Sequence, residues 1–191
     1  AANAARMAWP MFHKNAEHTG LYAIPNYAPS ISDVPDKSVN EDSPLAEAID
    51  LYAYAGDRDN ADTELTFSIT ANTTPSCGAA IGSNRYVDIS PSPDWNGASD
   101  VTVRATDPGG LYAEDTFRVT ATPVNDPPVL SAIPGQTIDE GQAFTAINLD
   151  DYAADPDNPD SQLIWAYSGN SKLTVNISNR IAAIAVPDAD W

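Results

Sequence analysis

The chain contains two copies of one sequence pattern, spaced by about 98 residues. The segment LYAYAGDRDN (51–60) aligns with LDDYAADPDN (149–158) at an offset of 98. Upstream, VPDKSVNE (34–41) aligns with IPGQTIDE (133–140) at an offset of 99, and downstream Trp95 aligns with Trp191 at an offset of 96. Because three blocks keep one order and nearly one spacing, we expect two copies of a domain about as long as one β-sandwich.

The first copy has the residue alternation of a β-sandwich. Apolar and polar residues alternate in LTFSI (65–69), VTVRAT (101–106) and DTFRVTAT (115–122), while Pro and Gly interrupt the pattern between them. We predict seven strands, at about residues 37–40, 45–50, 65–70, 79–82, 86–90, 101–106 and 114–122. Residues 45–50 also suit a helix by composition, but six residues are too few for an isolated helix.

The second copy follows the first only as far as Trp191, so the equivalents of residues 96–125 and of the last two strands are absent. Two explanations remain open: a simple truncation, or a fold completed by a strand that another subunit donates. The predicted organisation is an N-terminal arm at 1–28, a first sandwich at 29–126 and an incomplete second sandwich at 127–191. Because the sequence does not begin with Met, we expect an excised or processed fragment.

The charge is strongly negative and excludes several classes of partner. The chain has 27 acidic and 9 basic side chains, a formal net charge of −18. This sign disfavours nucleic acid and anionic membrane surfaces. No apolar run approaches the roughly 20 residues of a membrane span, and no signal peptide is visible. Of the acids, 21 are Asp and 6 are Glu, a bias that favours loops over helix surfaces.

The acidic side chains are predicted to gather at the two ends of the first sandwich. Successive turns of an antiparallel sandwich alternate between its ends, so the order of a turn places its residues. By this rule one end carries Glu41, Asp94 and Asp126. The opposite end carries Asp57, Asp59 and Asp107. In the second copy, Asp155 and Asp157 take the places of Asp57 and Asp59.

A metal site is predicted where the two copies join. The linker Asn125-Asp126-Pro127-Pro128 connects them, and its prolines favour an extended chain. The predicted facing set is Glu41, Asp94, Asn125, Asp126, Asp155 and Asp157. Carboxylates brought together repel unless a cation lies among them. A flexible set of hard oxygen ligands suits Ca²⁺, which takes 6–8 oxygens, better than Mg²⁺ with its strict octahedron. The alternative is that these Asp side chains only cap turns and solubilise the surface.

These motifs resemble the cadherin-like repeats of large secreted bacterial and archaeal proteins, and more distantly the cadherins. The resemblance covers about residues 29–191. Val124-Asn125-Asp126-Pro127-Pro128 is similar to the cadherin linker, and the Asp-x-Asp sequences at 57–59 and 155–157 are similar to the family's calcium motif. ATDPG (105–109) resembles its Ala-x-Asp-x-Gly loop, and Glu41 and Glu140 take the place of its early acidic ligand. The resemblance implies tandem Ig-like or cadherin-like sandwiches that bind calcium, with Asp57, Asp59 and Asp107 as a second, less complete ligand set.

The first 28 residues follow a different pattern. MAWPMFHKNAEHTGLY (7–22) resembles a phrase found beside β-propeller repeats in secreted prokaryotic proteins. We otherwise expect an arm that packs on the first sandwich through Trp9 and Phe12. His13 and His18 lack the H-E-x-x-H spacing of a zinc protease, so we expect a surface arm rather than a metal site.

Other residues that could carry chemistry favour a structural interpretation. Cys77, the single cysteine, has no His nearby in sequence and is expected to be buried or incidental. Trp95, Trp165 and Trp191 are expected to pack in cores or turns rather than form a sugar-binding platform. Asn72 and Asn176 lie in glycosylation sequons. With no nucleophile, phosphate-binding or dinucleotide motif in the sequence, we expect that the protein is not an enzyme.

The expected function is therefore a calcium-binding structural or adhesive module of an extracellular or cell-surface protein, in which Ca²⁺ stiffens the junction. Its expected partners are neighbouring domains or copies of the same protein, with a cell-surface glycan or protein as a further candidate. We expect neither nucleic-acid binding nor membrane insertion. One alternative is a carbohydrate-binding accessory module of a secreted enzyme. The other is a filament subunit completed by strand donation.

Overall fold

The computed structural model describes residues 25–83 and 85–187 of the 191-residue chain. The chain divides into two compact units, unit 1 ending at Thr122 and unit 2 beginning at Pro123. The described residues form strands and short 3-10 helices but no α-helix, so the all-β prediction is confirmed. Among these residues, no helix has the length and apolar character needed to cross a membrane.

The described residues of unit 1 form nine strands. They are β1 (Ser30–Ile31), β2 (Lys37–Asn40), β3 (Leu45–Asp50), β4 (Ala55–Gly56), β5 (Thr66–Asn72), β6 (Ala79–Gly82), β7 (Tyr86–Ile89), β8 (Gly97–Thr106) and β9 (Tyr112–Thr122). Residues 45–50, for which a helix was the alternative, form a strand that pairs with β7. The two-residue strands β1 and β4 were not predicted, because two paired residues are too short for an alternation pattern.

The strands of unit 1 form a β-sandwich. One sheet has the order β2-β9-β8-β5 and the other has the order β3-β7-β6, while β1 pairs with β4 as a short ribbon. Among the strands described for unit 1, all pairs are antiparallel except β2 with β9, which is parallel. The long hairpin β8–β9 runs in unbroken register from the pair Gly97 and Ala121 to the pair Thr106 and Tyr112. This hairpin is the centre of the larger sheet.

The core of unit 1 lies between these two sheets. Every second residue of β8 is buried, with Val101, Val103 and Ala105 fully inaccessible to solvent. Phe117 and Val119 of β9 are buried beside them. Burying a side chain of this size contributes about 1.5–3 kcal/mol to the free energy of unfolding. This interior fixes both sheets, and therefore fixes the turns at the two ends that carry the acidic residues.

Between Pro123 and residue 187, unit 2 forms five short strands. They are β10 (Val129–Leu130), β11 (Ile147–Asn148), β12 (Ala153–Ala154), β13 (Thr174–Ser178) and β14 (Ile181–Ala185). β10 pairs with β12, and β11, β14 and β13 form a three-stranded sheet in that order. Within the described part of the chain, its buried apolar residues are Leu149 and Ala182, a smaller interior than that of unit 1.

The segment LIWAY (163–167) does not form a strand, although it aligns with LTFSI (65–69) at the start of β5. In unit 1 the β5 segment is held by ladder hydrogen bonds to β8. Unit 2 contains no sheet that corresponds to β2-β9-β8-β5 among the described residues. Strand geometry follows from pairing as much as from the residue pattern, so the pattern alone did not determine the structure here.

Candidate metal centre

The first group of predicted ligands lies where β9 ends in unit 1. Glu41 is in the turn between β2 and β3, and its backbone N–H donates to the carbonyl oxygen of Thr122 at 3.0 Å. Its side chain is only 1% exposed and accepts a hydrogen bond of 3.1 Å from the Asn96 amide. Glu and Asp are almost never fully buried without compensating partners, and the Asn96 amide is one such partner of Glu41.

Asp94 lies at the same end, beside a residue that the sequence analysis did not select. The Asp94 backbone N–H donates to Asp42 Oδ1 at 3.1 Å, and carboxylate oxygens of the two residues lie within 4.8 Å. Both residues have positive φ values, 55° for Asp42 and 56° for Asp94. Asp tolerates this left-handed conformation better than most residues. Asp42 follows Glu41 directly in the sequence, but its proximity to Asp94 depends on these backbone conformations.

The opposite end of unit 1 contains the loop of Asp57 and Asp59. Asp57 Oδ1 accepts hydrogen bonds from the backbone N–H groups of Asp59 and Asn60, at 2.9 and 3.1 Å. The Asp59 hydrogen bond is the main cause that holds the pKa of Asp57 below its ordinary value, against the opposing effect of desolvation. The carboxylate therefore stays ionised in this loop.

The residues that precede β1 tie Asp59 and Asp107 to the same end. The Tyr27 N–H donates to Asp59 Oδ1 at 3.0 Å, and the Asn26 amide donates to Asp107 Oδ2 at 2.9 Å. Asp107 is 4% exposed, and its Oδ1 accepts a second hydrogen bond from the Leu111 N–H at 2.9 Å. The segment Asn26–Tyr27 thus contacts both Asp59 and Asp107, two of the three acids that the sequence analysis placed at this end.

A glycine and a cation–π contact complete the surroundings of this loop. The Asn26 amide approaches Gly109 so closely that a Cβ at position 109 would lie 2.4 Å from Asn26 Nδ2. A larger residue at 109 would therefore displace Asn26 from Asp107. The Arg58 guanidinium lies over the Tyr27 ring, 4.5 Å from its centroid.

The corresponding loop of unit 2 has the same hydrogen bonds. Asp155 Oδ1 accepts from the backbone N–H groups of Asp157 and Asn158, both at 2.9 Å. The Asp126 N–H donates to Asp157 Oδ2 at 2.6 Å, as Tyr27 does to Asp59 in unit 1. The Asn158 amide donates to Asn125 Oδ1 at 3.0 Å. Within unit 2, four predicted ligands therefore form one connected group: Asn125, Asp126, Asp155 and Asp157.

Asp155 is also held in its ionised form. Desolvation is the largest single effect and opposes ionisation. The hydrogen bonds from Asn158 and Asp157 act in the other direction, and the net result is a pKa below the ordinary value of an Asp carboxyl. The first Asp of each Asp-x-Asp loop is therefore held in its ionised form.

The donor set of these loops fits a hard cation. In the described part of unit 1, Asp57 Oδ2 and Asn60 Oδ1 are inaccessible to solvent and have no hydrogen-bond partner. Buried oxygens without a donor are costly, because each loses its hydration without replacement. Carboxylate and amide oxygens are the ligands that Ca²⁺ prefers. Asn60 was missed by the sequence analysis, although it follows Asp59 directly and is repeated as Asn158.

The two glycosylation sequons differ in their surroundings. Asn72 is half-buried, and its Oδ1 accepts hydrogen bonds from Ser99 Oγ at 2.7 Å and from the Thr74 N–H at 3.1 Å. Its amide nitrogen donates to Cys77 Sγ at 3.4 Å. Asn176 is exposed on β13. The Asn72 amide is therefore part of an internal network, whereas Asn176 is accessible.

The remaining candidates are mostly structural or lie outside the described residues. Cys77 is fully buried in the core of unit 1, as expected. Trp95 packs against that core, and Trp165 is half-buried in unit 2. The candidates on the N-terminal arm and at the end of the chain lie outside the described residues: Trp9, Phe12, His13, His18, the propeller-associated segment 7–22 and Trp191.

Comparisons with known proteins agree with this architecture. Residues 26–120 match the family model described as a bacterial Ig domain. The structure is similar to that of the protocadherin fragment PcdhgB3 EC1-4, with 12% identity and a TM-score of 0.52 over 86% of this chain and 42% of that chain. No curated protein matches the sequence.

Two further cadherin structures show weaker similarity. For extracellular cadherin domains 1–4 of protocadherin gamma B7, the identity is 16% and the TM-score 0.45, over 85% of this chain and 41% of that chain. For the human desmocollin-1 ectodomain the identity is 15% and the TM-score 0.40, over 85% of this chain and 34% of that chain. The chain thus spans less than half the length of these relatives, and the identities limit the similarity to the fold. The chain contains an Ig-like, cadherin-like repeat, and residues 26–120 carry the match to the bacterial Ig domain.

Proposed function

We propose that this chain is a calcium-binding structural module of an extracellular protein, and that Ca²⁺ stiffens the junction between unit 1 and unit 2. The observation that carries the proposal is the Asp-x-Asp-Asn loop, which occurs in both units with the same hydrogen bonds. In each, the first Asp accepts two backbone N–H bonds on one oxygen. The second Asp accepts the N–H of a residue that precedes the first strand of that unit.

The ligands of the junction site come from both units in this proposal. Unit 1 contributes Glu41 and Asp94, and unit 2 contributes Asn125, Asp126, Asp155 and Asp157. Three residues, 123–125, separate the end of β9 at Thr122 from Asp126. Because an extended chain advances at most about 3.6 Å per residue, this linker limits how far the two ligand groups can separate.

The second ligand group, at the opposite end of unit 1, is proposed as a further calcium site. It consists of Asp57, Asp59 and Asp107, to which the structure adds Asn60. The buried oxygens of Asp57 and Asn60 favour a bound cation here. Tyr27 stands where the second linker has Asp126, and this group has three carboxylates where the junction group has five. We therefore propose weaker binding here than at the junction.

A metal bound by both units has a mechanical role. A bound cation neutralises the repulsion between carboxylates of the two units and is held by both units at once. Bending at the linker would break some of these metal–ligand bonds, so the bound state resists it. Extracellular calcium modules have dissociation constants of about 10⁻⁴–10⁻³ M, so they bind the ion at the calcium concentrations found outside cells. We propose that the stiffened module spaces or joins neighbouring domains or copies of the same protein at a cell surface, and that it has no catalytic activity.

The proposal is tested by melting and by the relative orientation of the two units. We expect calcium to raise the melting temperature and to narrow the distribution of orientations measured by residual dipolar couplings. Asp157→Ala should abolish both effects, whereas the matched control Asp160→Ala, in the 3-10 helix that follows the loop, should retain them. If chelation changed neither the melting temperature nor the orientation, the acidic residues would be solvent-exposed turn residues and not calcium ligands.

A further inference from the structure

The turn that leads into β8 contains the dipeptide Asn96-Gly97, the one Asn-Gly pair in the sequence. Both residues are exposed, and Gly97 begins β8, where it pairs with Ala121. An Asn side chain is a labile group, because the backbone nitrogen of the next residue can attack its amide carbon. Glycine hinders that attack least, since it has no Cβ and the widest conformational freedom. The turn therefore combines a reactive amide with the neighbour that favours its reaction most.

The fold itself requires the glycine of this pair. Gly97 has a φ value of 137°, in a region that residues with a side chain rarely adopt. A Cβ at this position would lie 3.6 Å from Trp95 Cζ2, which is an ordinary contact. The requirement for glycine thus comes from the backbone conformation and not from a lack of space. A bulkier and less reactive neighbour of Asn96 would strain the start of β8.

The amide of the pair is required by a buried carboxyl group. Asn96 Nδ2 donates to Glu41 Oε2 at 3.1 Å, and the Glu41 side chain is 1% exposed. A carboxyl group that is removed from water needs hydrogen-bond donors, and the Asn96 amide supplies one. An ionised Asp at position 96 could not replace it, because a carboxylate accepts hydrogen bonds but donates none. Two separate requirements of the fold therefore place the reactive pair at this point.

We propose that Asn96 is a site of spontaneous deamidation, which converts the amide beside Glu41 into a carboxylate and loosens this end of unit 1. The backbone nitrogen of Gly97 attacks Cγ of Asn96 and forms a C–N bond, while the bond from Cγ to Nδ2 breaks. The proton of the Gly97 N–H passes through water to the leaving nitrogen, which departs as ammonia. The remaining succinimide ring is then opened by one water molecule.

Both products of ring opening change the surroundings of Glu41. Opening at Cγ gives Asp, whereas opening at the backbone carbonyl carbon gives isoaspartate, which adds one methylene to the backbone before Gly97. Either product lacks the NH₂ group that donates to Glu41 Oε2. An Asp carboxylate in the place of the amide would also repel the Glu41 carboxyl group at about the same short distance. Because the Glu41 N–H donates to Thr122 O at 3.0 Å, the change acts where β9 ends.

The reaction is followed by peptide mapping of the full chain with mass spectrometry, after incubation at neutral pH and physiological temperature with chelator. The mass gain from the replacement of NH₂ by OH identifies each converted Asn. We expect Asn96 to convert at least about tenfold faster than Asn40. Asn40 is the matched internal control, since it is exposed at the end of β2 but is followed by Glu41 instead of glycine. The same chain unfolded in guanidinium chloride gives the rate of each Asn without the fold.

The effect of the reaction on stability is measured with Asn96→Asp, which reproduces one product. We expect the melting temperature in chelator to fall by at least about 4 °C. The matched control is Asn40→Asp, which makes the same change of charge. The Asn40 side-chain oxygen accepts from Thr122 Oγ1 at 2.8 Å, and Asp keeps that acceptor, so this variant should melt as the unchanged chain does.

A third variant links the reaction to the loss of stability without relying on the product variant. Asn96→Gln keeps an amide, but its longer side chain would have to close a larger and less favoured ring. The melting temperature of the unchanged chain should fall during incubation in step with the conversion of Asn96. The melting temperature of Asn96→Gln should stay constant over the same period.

Three outcomes would overturn the proposal. One is an intact Asn96 in the folded chain under conditions in which the unfolded chain reacts, and another is equal conversion of Asn40 and Asn96. The third is an equal melting temperature for Asn96→Asp and Asn40→Asp, which would reduce the effect to net charge. Since every measurement is made in chelator, failure of this proposal leaves calcium binding untouched, and failure of calcium binding leaves this proposal untouched.

Discussion

Replacing Asp155 by Asn is expected to change the stability little without calcium and to reduce the stabilisation that calcium provides. Asn keeps a carbonyl oxygen that can accept the N–H bonds now made to Asp155 Oδ1 by Asp157 and Asn158, each 2.9 Å long. It removes one negative charge from a loop that also carries Asp157. Without calcium, weaker hydrogen bonds and reduced repulsion act against each other, so the melting temperature should change little.

With calcium, the same substitution removes a ligand. If the dissociation constant lies at 10⁻⁴–10⁻³ M, calcium at about 10 mM stabilises the folded chain by about 1.4–2.7 kcal/mol. A tenfold loss of affinity reduces this gain to about 0.4–1.4 kcal/mol. For a unit of this size, each kcal/mol corresponds to about 4–8 °C in the melting temperature. The calcium-induced rise should therefore shrink by several degrees in Asp155→Asn.

Scanning calorimetry of the full chain in calcium and in chelator measures the melting temperature without calcium and its rise when calcium is bound. The matched control is Asp160→Asn, which removes the same charge from the neighbouring 3-10 helix without touching the loop hydrogen bonds. If the two variants lost the same part of the calcium response, the effect would be one of net charge. The assignment of Asp155 as a ligand would then be wrong.

Three further predictions follow from the interior and from the titrating groups. Phe117→Ala should destabilise unit 1 by about 3–5 kcal/mol in chemical denaturation, to the same extent with and without calcium, and an unchanged midpoint would contradict its place in the core. Asn72→Ala should lower the free energy of unfolding by about 1–3 kcal/mol in the same assay, because it removes the hydrogen bonds from Ser99 and Thr74. In a host that glycosylates sequons, mass spectrometry should find glycan on Asn176 rather than on Asn72. Asp57 and Asp155 have lowered pKa values in the folded state. Their stabilising contribution should therefore be complete above the ordinary pKa of 3.8 and should be lost as the pH falls below it. When either residue is replaced by Asn, acid unfolding monitored without calcium should shift to higher pH.

The strands of unit 1 were largely predictable because their residues alternate and their turns contain Pro, Gly and Asp. β2 and β3 have the predicted bounds, and so does β6 at Ala79–Gly82. β8 begins at Gly97, four residues before the predicted start, because its first residues pair with the end of β9. Gly97 and Ala98 carry no apolar alternation, so only the pairing partner could have revealed them.

The ends of unit 1 were predictable from the order of the turns. The rule places Asp57, Asp59 and Asp107 together, and the structure joins Asp59 and Asp107 through the segment Asn26–Tyr27. It places Glu41 with the end of β9, and Glu41 bonds Thr122. The order of the turns predicts at which end of the sandwich a residue lies, but it does not predict which side chains contact one another there.

Those contacts explain the residues that the sequence analysis missed. Asp42 was not selected because its proximity to Asp94 depends on two left-handed residues, which no motif in the sequence specifies. Asn60 was not selected because only burial shows that its oxygen lacks a donor within unit 1 as described. The LIWAY segment (163–167) aligns with LTFSI (65–69), but it pairs with no strand among the described residues, whereas β5 pairs with β8. In each case the missing information was a tertiary contact.

Titration of calcium into the full chain by isothermal calorimetry tests the central claim most directly. The account predicts saturable binding with a dissociation constant of about 10⁻⁴–10⁻³ M. Asp126→Ala or Asp157→Ala should remove the tighter phase, and Asp160→Ala should leave it unchanged. No heat of binding at millimolar calcium, or binding that survives both ligand substitutions, would contradict a metal-stiffened junction.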